Sequence, residues 1–239
     1  MTGGGYNSIC AEVGLIREAL NRDDYDRLVL LQGADYPIKS PKYILDYFER
    51  NKSVEFCSCS RCTGSSYKFL YSRCRHISFM NKPNMVKKIW NKISSALNLN
   101  IRSGKVRVDS TRRKVDVFWG SAQWSFTGNA AKYIVEFYDK NPHFNNWFKY
   151  AFAPDELYFA TVIMNSPLSH NTNNNEEQKG VALVCHRNLH YFEYPDGGIK
   201  IWDSGDYLKI MSLPDLYIRK VTTEKSSKLL DMLDESFRM

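Results

Sequence analysis

Short continuous apolar runs alternate along this chain with segments of helical apolar spacing, and that alternation restricts the fold more than any other feature. The run LVLL at 28–31 is too short for a helix and too apolar for a solvent-facing strand. It reads as a buried strand that breaks at Gly33 and enters a turn at Pro37. SVEFCSC, VFWGSAQWSFTG and LYIRKV read as further strands. Shorter ones are expected at 181–186, 189–194 and 199–202, with PDGG turning between the last two. Helical spacing appears at 9–20, 41–50, 85–97, 129–140 and from Thr223 to Phe237. Ser40 before Pro41, and Thr127 ahead of 129–140, stand where N-caps belong. Strands alternating with helices predict an α/β fold, a mixed sheet flanked by helices. Neither a repeat nor a linker-like break interrupts the 239 residues, so a single domain over 1–239 is expected. The Asn-rich stretch at 170–180 reads as an exposed loop.

The net charge of +7 is local: between Lys82 and Lys114 stand ten Lys or Arg residues against one acid, Asp109. Such a block suits an anionic partner. Within it, 85–97 is amphipathic, with Val86, Ile89, Trp90, Ile93 and Leu97 on one face and Lys87, Lys88 and Lys92 on the rest. The segment therefore offers a peripheral membrane contact. It lacks the interleaved aromatics that would stack bases, so no nucleic-acid partner is expected. No apolar run reaches transmembrane length, and MTGGGYNSIC lacks the pattern of a signal peptide, which predicts a soluble chain. Gly3-Gly4-Gly5 follows no strand, so it is no dinucleotide loop.

Four cysteines, Cys57, Cys59, Cys62 and Cys74, fall in a C-x-C-x2-C-x11-C arrangement. Three of them with Cys74 or His76 could close a zinc tetrahedron, which would support a zinc-stapled nucleic-acid-binding module. The paired C-x2-C form of a zinc ribbon is absent, so reduced thiols are the favoured expectation and no metal is assigned.

The triplet Pro154-Asp155-Glu156 opens a further helical run and admits two readings. Pro, Asp and Glu suit any first helical turn, where carboxylates meet unpaired N–H groups. A carboxylate at the mouth of a pocket can equally serve as a general base. The rest of the chain favours chemistry. The blocks LLQGADYPIKS (30–40), WGSAQWSFT (119–127), PDELYFATVIMNS (154–166) and LYIRKV (216–221) occur in that order and together resemble the core-2/I-branching β-1,6-N-acetylglucosaminyltransferase family, which also contains the peptide O-xylosyltransferases.

The resemblance implies a GT-A-type α/β fold and inverting, metal-independent transfer of a sugar, N-acetylglucosamine first, from a UDP-sugar to a glycan hydroxyl. It places the general base at Glu156, leaving Asp155 as the helix cap beside it. Basic residues near the C-terminus hold the diphosphate: Lys220 by motif, Arg219 as its neighbour, and Lys200 by a looser match. The chemistry agrees, because a single displacement needs one base, and a departing diphosphate needs fixed positive charge. The one D-x-D, Asp24-Tyr25-Asp26, precedes its strand and would not face a site, and the strand's own exit carries the single acid Asp35. No cofactor is therefore expected. Trp119, Trp124 and Tyr194 are candidate stacking surfaces for sugars, Gly120 and Ser121 a close backbone approach to ligand, and Arg73 an acceptor contact. His190 is expected to be structural.

Relatives carry a further N-terminal portion with the first strand and the uridine grip, which this chain is expected to lack. The resemblance places animal members in the Golgi lumen behind an anchor, while bacterial members are soluble, and the Lys/Asn/Ile-rich composition leans to a cytoplasmic protein. UDP-xylose as donor and a non-catalytic glycan-binding relative are the alternatives within the family.

Overall fold

The computed structural model describes residues 5–63, 74, 77, 84–97, 102–173, 188–195 and 197–238. Its elements begin with α1 (Asn7–Arg22), β1 (Arg27–Val29), β2 (Asp35–Pro37), α2 (Pro41–Arg50), β3 (Cys59–Arg61) and α3 (Asn84–Ala96). Then come β4 (Lys105–Arg107), β5 (Lys114–Asp116), β6 (Phe118–Gly120), β7 (Ser125–Thr127), α4 (Gly128–Lys140), α5 (Pro142–Trp147) and α6 (Pro154–Met164). The chain closes with β8 (His190–Tyr191), α7 (Tyr207–Met211), β9 (Tyr217–Arg219) and α8 (Thr223–Arg238). This is a mixed α/β architecture of short strands flanked by helices. The backbone gathers into two compact units and passes between them five times, twice inside strands, at β1 and β7.

The first unit comprises Met1–Leu28, Val54–Ala122 and Phe126–His186. Here β3 runs antiparallel to β6, with Cys59 opposite Gly120 and Arg61 opposite Phe118, and β4 pairs with β5. Helix α6 lies along β6 and α1 packs on α4 and α6. The core beneath is aromatic: Phe144, Phe148 and Tyr158 are fully buried and meet at edges and tilts 5.2–6.0 Å apart. The one polar atom this brings inside is satisfied, since Tyr158 Oη donates to Asn145 Oδ1 at 2.9 Å. Thr127 caps α4 as expected, its Oγ1 accepting from the Ala130 amide. The sequence did not reveal what holds Thr127 in turn. Glu55, fully buried, accepts from the Thr127 amide at 2.9 Å and from its hydroxyl at 2.6 Å.

The second unit comprises Val29–Ser53, Gln123–Ser125 and Arg187–Met239. Its sheet has the order β2-β9-β8, with β2 antiparallel and β8 parallel to β9. Ile38, Trp202, Ile210, Ile218, Leu229 and Leu233 form its core. Ser40 caps α2 through the Tyr43 amide, with Pro41 in the first turn as expected. The stretch 199–202, expected as a strand, makes ladder-like bonds to 220 without becoming regular. The strand expected at 181–186 lies outside the described residues.

One expectation is corrected. Cys62 and Cys74 are joined by a disulfide, in place of four reduced thiols or a zinc site, while Cys57 and Cys59 are buried and outside any disulfide. Among the described residues no group of three or more His, Cys, Asp or Glu is placed to hold a metal ion. In α3 the apolar stripe is turned outward: Val86, Ile89, Ile93 and Leu97 are exposed, and Trp90 is half-buried.

Gly128 opens α4 against the loop before β1, its amide donating to Asp26 O at 2.9 Å. A Cβ there would stand 2.3 Å from Tyr25 O, a backbone atom that cannot rotate away. Gly128→Ala is expected to lower stability by about 2 kcal/mol or more, read as a lower urea midpoint at unchanged slope. An unchanged midpoint would show that the turn before β1 yields freely.

Candidate active site

Helix α6 is fastened to the junction of β5 and β6 by side chains. Thr161 Oγ1 accepts from the Phe118 amide at the start of β6 at 3.0 Å, and Asn165 Nδ2, just past the helix, donates to Asp116 O at the end of β5 at 2.9 Å. Backbone groups of both strands thus find partners on the helix. At its N-terminal end the helix begins from Ala153, whose φ of 43° and ψ of 65° lie in the left-handed region. Pro154 follows directly, and a residue before proline is kept out of the right-handed helical region. A non-glycine residue held there is strained by roughly 1–2 kcal/mol.

The N-cap is therefore Ala153, with no side-chain cap bond, which corrects the expectation that Asp155 caps the helix. Asp155 sits in the first turn instead. Its carboxylate meets the amides of Asp155 and Glu156 and the side chain of Ser8 from α1. Its Oδ1 is buried without a hydrogen-bond partner. Burial is the largest influence on this group and pushes its pKa above the ordinary 3.8, with the three hydrogen bonds pulling the other way. Glu156, one position on, is half-buried and keeps access to solvent. Nothing in the sequence marked Ser8 as a partner, since the contact depends on how α1 packs.

Trp119 is buried and stacks on Phe152, centroids 6.2 Å apart and planes 13° from parallel, so its face is taken by the protein. Gly120 has no open approach either: a Cβ would meet Ser58 O at 3.0 Å and Ala160 Cβ at 3.3 Å. Its missing side chain lets α6 and β3 close on β6, which corrects its assignment as a ligand-facing backbone. Ser121 beside it is half-buried. In the second unit Trp124 is buried, which also corrects its reading as a stacking surface, whereas Tyr194 is exposed and edge-on to Phe192. Arg73 lies outside the described residues.

The expected diphosphate cations are all in the second unit. Arg219 faces Asp35 directly across β9 and β2 and donates from Nη1 to Asp35 Oδ1 at 2.8 Å. Asp35 is wholly buried, takes the Gln32 amide at 2.7 Å, and has His190 Nε2 3.6 Å away, beyond hydrogen-bond length. His190 itself is buried, its Nδ1 on Asn188 O, as a structural histidine would be. Burial by itself raises the Asp35 pKa, but His190, the Gln32 amide and Arg219 together outweigh it and hold the carboxyl below its ordinary value. Arg219 is thus engaged with Asp35, which counts against a role on phosphate.

Lys220, next along, is half-buried, and no carboxylate lies within ion-pair distance of it among the described residues. Lys200, assigned only loosely, proves to be its backbone neighbour. The Lys220 amide donates to Lys200 O at 3.2 Å, and Trp202 N donates to Lys220 O at 3.0 Å. Lys200 Nζ is held by Asp206 at 2.5 Å and lies 4.6 Å from the centre of the Trp202 ring.

A family model described as Core-2/I-Branching enzyme matches residues 1–194. That range contains Asp155, Glu156 and Tyr194, while Lys200, Arg219 and Lys220 follow it. No curated protein matches the chain.

The two aspartates titrate in opposite senses on folding. Because the folded pKa of Asp155 is raised, the native state holds that proton more tightly, and stability falls as pH rises from the unfolded value through the folded one. Asp155→Asn keeps a polar group at the same place without the charge. The variant is expected to gain stability relative to the parent as pH is raised from about 4, measured by denaturant melts across pH. Parallel pH curves for the two proteins would mean that Asp155 keeps its ordinary pKa.

Proposed function

The chain belongs to the Core-2/I-branching enzyme family, and from that premise we propose that it is an inverting glycosyltransferase using a UDP-sugar, with N-acetylglucosamine as the transferred sugar. Membership in a glycosyltransferase family brings a sugar donor and a glycan acceptor. The observation that carries the finer reading is the place of Glu156 in the first turn of α6, half-buried and next to Asp155, whose Oδ1 is buried without a hydrogen-bond partner.

Glu156 lies in the first turn of α6, at the positive end of the helix dipole. As the acceptor oxygen attacks the anomeric carbon, Glu156 takes the hydroxyl proton. The new carbon–oxygen bond forms while the bond to UDP breaks on the opposite face, inverting the centre. The electron pair leaves on the diphosphate. Lys220, with no carboxylate within ion-pair distance among the described residues, is the cation assigned to that charge, while Lys200, its backbone neighbour, is already paired with Asp206. A general base contributes roughly 10²–10⁴ in rate. Fixed cations aimed at a departing phosphate act without reorganising as the charge develops. The reading needs no metal ion, since the leaving group is neutralised by side chains.

Calorimetric titration of UDP with EDTA present, followed by transfer assays on a panel of donors, tests this. Glu156→Gln is expected to reduce transfer at least a hundredfold while the Kd for UDP stays within about twofold. Lys220→Ala is expected to weaken UDP binding roughly tenfold or more. Transfer by Glu156→Gln at the parent rate would remove it as the base. UDP binding only with added manganese would overturn the account of the leaving group. Glycan binding without transfer would identify a non-catalytic relative, and preference for UDP-xylose would correct the donor.

A further inference from the structure

Helix α3 is oriented opposite to an interior amphipathic helix. Its apolar stripe of Met85, Val86, Ile89, Ile93 and Leu97 faces outward, with Met85 72%, Ile89 55% and Leu97 65% exposed. At 100° per residue these five side chains occupy a sector of about 120°. The inner side is held by Trp90, whose indole donates to Ile77 O at 2.7 Å, and by buried Ser94. Lys88 and Lys92 are exposed along one border of the stripe. The helix contains no acid, and the surrounding segment from Lys82 to Lys114 sets ten Lys or Arg residues against Asp109 alone.

An exposed apolar stripe can meet a protein or a lipid surface, and the charge chooses between them. A contiguous apolar face bordered by lysines, with no carboxylate to be desolvated or repelled, is the pattern of a helix lying in a bilayer interface. Apolar side chains enter the headgroup boundary while lysines meet anionic lipid, each adding to the attraction within a Debye length. Among the described residues no helix is long and apolar enough to cross a membrane, so such contact stays at the surface. We propose that α3 is an interfacial helix that docks this protein on an anionic lipid surface through Met85, Val86, Ile89, Ile93 and Leu97, steered by Lys88 and Lys92. This docking is independent of the sugar chemistry and holds whatever the donor.

Co-sedimentation of the full chain with phosphatidylcholine vesicles, with and without phosphatidylserine, tests the proposal. Binding is expected to be at least tenfold stronger on the anionic vesicles and to fall with added salt. The double variants Ile89→Asp/Ile93→Asp and Lys88→Glu/Lys92→Glu are each expected to lose roughly tenfold or more of that binding. Their circular dichroism should stay unchanged, since the altered side chains face outward. Leu208→Asp, at an isolated apolar residue 82% exposed in α7, is the control that keeps full binding. No binding to either vesicle would overturn the proposal, as would anionic binding that survives Ile89→Asp/Ile93→Asp. Self-association abolished by the same substitutions, without vesicle binding, would make the stripe a contact between copies and also overturn it.

Discussion

The close approach of α6 to β6 is the constraint on which the first unit depends. Gly120 makes it possible, because any side chain there would press on Ser58 O and Ala160 Cβ. Thr161 makes it directional, accepting from the Phe118 amide at the start of β6, and Asn165 repeats the attachment one turn later at Asp116 O, the end of β5. A helix held at two successive turns cannot slide or roll without losing these hydrogen bonds, the first of them buried. Its first turn, with Asp155 and Glu156, is therefore placed by bonds made roughly one and a half to three turns away. A carboxylate asked to take a proton from an attacking oxygen needs that rigidity, since small misplacement loses much of the benefit of proximity.

In the second unit the governing interaction is between charges. Burying Asp35 without compensation would be prohibitive, and its partners Arg219, His190 and the Gln32 amide converge on it from three directions. That demand fixes the role of Arg219 and separates it from Lys220, although the two are adjacent in sequence. One cation balances a buried carboxylate, while the next stands half-buried without a carboxylate partner among the described residues. An unneutralised cation held in place by backbone bonds to Lys200 and Trp202 is suited to an anion brought from outside.

Local features were legible in the sequence because they depend on local chemistry. Thr127 and Ser40 cap the helices they precede, the last helix occupies its expected span, and the 216–221 run contains a strand, whereas the run at 28–31, expected as a buried strand, overlaps only the half-buried strand Arg27–Val29 and leaves Leu31 47% exposed. The family could be read from four ordered blocks, a pattern that a fold and a site impose together. What could not be read is what packing decides. Periodicity located the apolar stripe of α3 but could not say whether it turns inward, because 3.6-residue spacing is identical in both cases. Trp119 and Trp124 looked available for sugars since composition does not reveal burial. Arg219 and Asp35, 184 positions apart, become partners only when β9 lies beside β2. Glu55 gave no signal at all, being an ordinary acid in an expected strand until Thr127 folds onto it.

The paired carboxylates of α6 are best understood through the same distinction. Successive helical residues project about 100° apart, so Asp155 and Glu156 cannot share an environment. Asp155 packs toward α1 and Ser8, with an oxygen left unpartnered, and Glu156 is half-buried one position on. Burial works against the charge on Asp155, and the hydrogen bonds from Ser8 and from the amides of Asp155 and Glu156 work for it. The balance falls on the side of the proton, so a residue pair that any helix start could carry acquires one member whose charge is disfavoured by the way α1 packs against it.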